Sequence, residues 1–142
     1  MALSLVGTDG NPWVASKDED ASGNNFITQR LKVVPSGNYT TGGDTLNLST
    51  VVPPGAGPIP GTNTVLPISV TTTEQGTAAT PSLSAAGGFY AIIQAAAPTL
   101  SNFLLKIFKN SAGSVAEYNN GAYGQDVLTD AIFLEVTWRK MA

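Results

Sequence analysis

The sequence predicts an all-β fold, an antiparallel β-sandwich, and three observations carry that prediction. Apolar residues recur with period two in several short runs, such as Leu31 and Val33, or Ile132, Leu134, Val136 and Trp138. Nowhere do they persist at i, i+3, i+4 and i+7 over three turns, as an amphipathic helix needs. Gly, Pro, Ser, Thr and Asn make up 61 of the 142 residues, so turn-forming stretches separate the runs throughout.

Residues 1–26 hold few periodic apolar positions. Two turn-rich stretches, 7–12 and 21–25, flank the charge run Lys17-Asp18-Glu19-Asp20. The segment therefore reads as an extended N-terminal arm with solvated charges, leaving 27–142 as the sandwich domain. Gln29, Leu31 and Val33 alternate with Arg30 and Lys32 as a half-exposed strand, ended by Pro35-Ser36-Gly37-Asn38. Leu46, Leu48 and Thr50 form a second short run after Gly42-Gly43-Asp44. Residues 53–61 follow with four prolines and three glycines. Proline fixes φ and lacks an N–H, so this stretch is a stiff surface loop and a contact candidate through Pro53, Pro54, Pro58, Ile59 and Pro60.

Leu66, Ile68, Val70 and Thr72 resume the alternation, and the Thr-rich 71–81 stretch is a further contact candidate. Residues 89–97 and 103–108 then read as a hairpin buried on both faces, joined by the Pro98–Asn102 turn. Asn110–Gly113 turns the chain into Val115–Tyr118, and Ile132–Trp138 closes it.

Only 17 residues are charged, 12% of the chain where about 25% is usual. Spread over a folded surface of roughly 6,900 Å², that is thin ionic cover. Either hydroxyls and amides keep the surface soluble, or a partner covers part of it. The net charge is −3 and the seven basic residues are scattered, a poor match to nucleic acid. The longest apolar stretch, 89–97, falls well short of the ~20 residues a membrane helix needs. The first ten residues lack the basic region of a secretory signal, so synthesis in the cytoplasm is expected.

There is no cysteine and no histidine. Disulfides, thiolate nucleophiles, Cys/His zinc sites and imidazole catalysis are therefore excluded. Residues 18–23 open like a calcium loop, with oxygen ligands at positions 1, 3 and 5 and glycine at 6. Gln29 stands where a bidentate Glu should close the shell, so a solvated loop and no metal is the expectation. A glycosidase pair would have to come from Glu117, Asp126, Asp130 or Glu135, all of which read as residues on the outer faces or ends of strands. No cofactor is expected, and no enzyme. Trp13 lies in the arm, away from any evident core, and exposing it would cost roughly 2–3 kcal/mol. That predicts docking of Trp13 on a neighbouring subunit.

Residues 39–49, Tyr-Thr-Thr-Gly-Gly-Asp-Thr-Leu-Asn-Leu-Ser, resemble the Y-x-T-G-G-[DE]-x-L-x-L-S stretch of decoration, or cement, proteins of tailed-bacteriophage heads. Leu104-Leu105-Lys106-Ile107-Phe108 is similar to that family's L-K-V-[FY] strand. Ala116-Glu117-Tyr118 followed by Gly121-Ala122-Tyr123 resembles its A-E-[LV]…G-A-Y segment. The resemblance spans about 28–138 and implies a small sandwich, often of jelly-roll type, on the outer capsid surface of a virion. Its partners would be the major capsid protein and further copies of itself, as a dimer or a trimer. It brings no catalytic residues. A carbohydrate-binding or host-attachment module on the same fold is the alternative.

Overall fold

The computed structural model of the chain describes residues 3–21, 25–56, 68–73, 89–93, 100–111, 114–123, 127–128 and 131–140. All strand pairs among them are antiparallel. Strands β1 (Leu3–Val6), β2 (Glu19–Asp20), β3 (Phe26–Pro35), β6 (Ile68–Thr73) and β11 (Ala131–Arg139) form a five-stranded sheet. Its order is β1-β3-β11-β6, with β2 beside β1 on the same edge of β3. Strands β5 (Asp44–Leu46), β8 (Phe103–Ser111), β7 (Phe89–Ile93) and β9 (Ser114–Glu117) form the second sheet. β4 (Asn38–Tyr39) and β10 (Gly121–Ala122) pair as a separate two-stranded ribbon.

Period-two patterning explains which faces meet. Ile27, Leu31 and Val33 of β3 pair in register with Trp138, Leu134 and Ile132 of β11, and all six side chains are buried. From the other sheet, Leu46, Phe103, Leu105 and Ile107 enter the same cluster. One core thus lies between two sheets, as in a sandwich. Gln29 is the polar exception on the inward face of β3. Its Nε2 donates to the Val51 carbonyl at 2.5 Å, and its Oε1 accepts from Trp138 Nε1 at 2.9 Å. Burial of an amide is tolerated because both ends are paired.

The N-terminal segment corrects the sequence reading. It is no extended arm. Leu3 and Leu5 lie opposite Pro35 and Val33, so β1 extends the five-stranded sheet, and β2 returns to the same edge. Between them the chain folds into a closed loop followed by the one-turn helix α1 (Ala15–Asp18). Leu3 is buried and Trp13 packs against the core of its own chain. Trp13 thus gains part of its cover from its own chain, which removes the lack of a nearby core that suggested docking on a neighbouring subunit. The Leu46–Thr50 run is also shorter than it reads: a 3-10 turn at Leu48–Thr50 replaces the strand, started by the Asn47 side chain accepting from Ser49 N.

Candidate functional site

Three places concentrate polar or exposed chemistry. The first is a knot where the resemblance strings meet. Tyr39 is buried, and its hydroxyl donates to Glu117 Oε1 at 2.7 Å while accepting from Ile107 N at 3.1 Å. The same Glu117 oxygen accepts from Gly42 N at 2.6 Å. Asp44, also buried, accepts from Thr40 N at 3.0 Å through one oxygen and from the Tyr123 hydroxyl through the other. Tyr39 packs edge-on against Tyr118 and Tyr123, at centroid distances of 6.0 and 6.2 Å.

Gly42 and Gly43 make this geometry possible. Both have positive φ, 105° and 110°, a region that L side chains avoid. A Cβ on Gly43 would also stand 3.0 Å from Leu104 Cβ. Burial pushes the Asp44 carboxyl above its ordinary value. The Tyr39 hydroxyl, the Gly42 amide and Lys106 hold Glu117 below its own against an opposing push from burial. Burial and Glu117 raise the Tyr39 phenol, so it stays protonated as a donor. Each of these groups has its partner inside the knot, and the arrangement acts as a clamp between residues 39–44 and 117–123.

The second place is the loop of residues 7–18, closed around Asp18. Asp18 was expected to be solvated, yet it is 1% exposed. It accepts from Thr8 N at 3.3 Å, Thr8 Oγ1 at 3.1 Å and Val14 N at 3.1 Å. Burial pushes this carboxyl up, but the Val14 and Thr8 amides, the Thr8 hydroxyl and Lys17 outweigh it and leave its pKa lowered. Gly7 is required here, since a Cβ would lie 2.6 Å from Asp18 Oδ2. Asp18, the first position of the calcium-like string, is taken up by backbone amides and a hydroxyl, and residues 22 and 23 of that string lie outside the described residues. Among the described residues no group of three potential metal ligands forms.

The third place is one end of the sandwich. Phe26 opens β3 opposite Arg139, Lys140 N donates to Asn25 O at 2.8 Å, and Ala56 bridges to Lys140. This brings Phe26 and Ala56 to the end of β11. Phe26 is 54% exposed, Val52 39%, and Pro54 is also exposed. Pro53 was expected to make contacts, but it is buried and its carbonyl accepts the turn hydrogen bond from Ala56 N. Pro58, Ile59 and Pro60 lie outside the described residues, as does the 74–81 part of the Thr-rich candidate.

Of the carboxylates considered for glycosidase chemistry, the two among the described residues, Glu117 and Glu135, are engaged separately. Glu117 is tied into the knot, and Glu135 faces outward, 3.7 Å from Arg30 Nε. Asp126 and Asp130 lie outside the described residues. Among the described residues, no helix is long and apolar enough to cross a membrane. No protein-family model, curated protein or solved structure matches the chain.

Proposed function

We propose that this protein is a structural, non-enzymatic component of a bacteriophage virion. It decorates the outer capsid surface, docking on the major capsid protein and associating with further copies of itself as a dimer or trimer. The jelly-roll connectivity implied by the resemblance belongs to the same reading. The observation that carries it is exposed apolar surface on a sparsely charged chain: Phe26, Val52 and Pro54 are all exposed, and the chain has only 17 charges. An exposed aromatic ring such as Phe26, with little charge around it, suits a contact surface.

The resemblance adds support, because its three strings converge on the knot of Tyr39, Asp44, Glu117 and Tyr123. They describe a shared framework. Decoration would stabilise a shell by mass action, since a ligand bound only to the intact lattice opposes disassembly.

The test mixes purified protein with phage shells that lack a decoration protein, followed by sedimentation and thermal melting. Co-sedimentation with a raised shell melting temperature is expected, and Phe26→Ser with Val52→Ser should abolish both while leaving the free protein folded. Absence of co-sedimentation, or full binding by the double variant, overturns the reading.

A further inference from the structure

The outward face of the five-stranded sheet carries a cleft that neither the knot nor the end of the sandwich at Phe26 occupies. Antiparallel register aligns Lys32, Phe133 and Thr71 in one cross-strand row and Arg30, Glu135 and Ser69 in the next. Thr8 joins them from the loop that follows β1. The depression has a volume of about 180 Å³ and is lined by Thr8, Arg30, Ser69, Thr71, Phe133 and Glu135, over the backbone at Leu134. Strands about 4.8 Å apart and alternate residues about 6.8 Å apart make the two rows a plate of roughly 10 by 7 Å. That is the footprint of a single six-membered sugar ring.

The lining chemistry narrows the ligand. Phe133 offers an apolar surface, and Thr8, Ser69 and Thr71 offer hydroxyls that both donate and accept. Arg30 and Glu135 stand 3.7 Å apart, each 53% exposed, so a ligand can reach their outer edges. Together they supply fixed donors and fixed acceptors with no net charge. An anion would meet the Glu135 carboxylate beside Arg30, whereas a neutral polyol meets partners of both kinds. A pyranose has the matching sides, a C–H face for the ring of Phe133 and a hydroxyl rim for the polar groups.

We infer that this cleft binds a neutral hexopyranose unit of a glycan, seated against Phe133 and held by Arg30 and Glu135. The inference stands apart from the capsid reading, because sugar binding and shell binding are measured separately and either can fail alone.

The test titrates the full ¹⁵N-labelled chain with the methyl α-glycosides of glucose, mannose and galactose, up to about 50 mM, and follows the amide resonances. At least one glycoside should give saturating shifts centred on Arg30, Ser69, Thr71 and Glu135, with a roughly millimolar Kd for a ligand of about a dozen heavy atoms. An exposed ion pair adds little to stability. Arg30→Gln and Glu135→Gln should therefore each weaken binding about tenfold without moving the melting temperature. Phe133→Ala should abolish binding, and Phe133→Tyr should restore it. The inference is overturned if none of the three glycosides gives saturating shifts, if the shifts centre elsewhere, or if binding survives all the substitutions.

Discussion

Asp18 and Asp44 are both buried aspartates, 1% and 5% exposed, yet their pKa values move in opposite directions. Asp18 sits in the N-terminal loop among two backbone amides and a hydroxyl, with Lys17 Nζ 3.8 Å away. Asp44 sits in the knot with a single backbone amide donor, from Thr40, and the hydroxyls of Thr40 and Tyr123. Desolvation opposes the charge in both places. Two backbone amides, a hydroxyl and the Lys17 ammonium overcome it in the first, whereas one amide and hydroxyls fail to do so in the second. The loop is thus built around an anion, whereas the knot is built around a hydrogen-bonded side-chain network that tolerates one.

Breaking the knot should have the largest effect. Tyr39→Phe removes the donor to Glu117 and the acceptor for Ile107 N at once. Unsatisfied buried groups of this kind cost about 1–3 kcal/mol. A denaturant midpoint lowered by that much, with an unchanged slope, is the expected result, and an unaltered midpoint would show that the clamp is dispensable.

The two aspartates should then separate by pH. The lowered Asp18 pKa stabilises the fold above the unfolded value near 3.8, and that stability is lost as pH falls through the folded pKa. The raised Asp44 pKa works the other way. Its contribution is full below 3.8 and is lost as pH rises through the higher folded value. Relative to the parent chain, Asp18→Asn should be most destabilising at neutral pH, with the deficit shrinking below pH 3.8. Asp44→Asn should be least costly at neutral pH and most costly in acid. Melting temperatures of the two variants from pH 7 to pH 3 check this, and parallel curves would refute the contrast.

The smallest effect belongs to the exposed Asp9–Lys17 pair at the rim of the loop. Its 2.6 Å distance looks strong, and Lys17 holds the Asp9 carboxyl far below its ordinary value. Both side chains are more than 40% exposed, so solvent screens the attraction. Lys17→Gln should leave the melting temperature unchanged, and a clear drop would place the pair among the supports of the loop.

The long strands were legible in the sequence because alternation over β3, β8 and β11 leaves little choice of face. Gln29 even kept its place in the inward series, though its role needed Trp138 and Val51, which lie far away along the chain. The N-terminal segment misled for a physical reason. Four residues of β1 are too few to register as period two, and Asp18 looks like any solvated acid until the 7–18 loop closes on it. Trp13 then appeared stranded in a region that owns no core, when its core lies on the adjoining sheet. The cleft was beyond reach for a related reason, since Arg30, Ser69 and Glu135 become neighbours only through strand register.

The outer edge of β3 is met by two short pieces rather than one long strand. β1 covers Lys32–Pro35, β2 covers Thr28 and Gln29, and the loop held by Asp18 spans the interval. A ten-residue strand left bare would invite another molecule to add on and start a fibre. The interrupted border offers no such template. Copies crowded side by side at high local concentration could therefore remain separate molecules instead of polymerising through this rim.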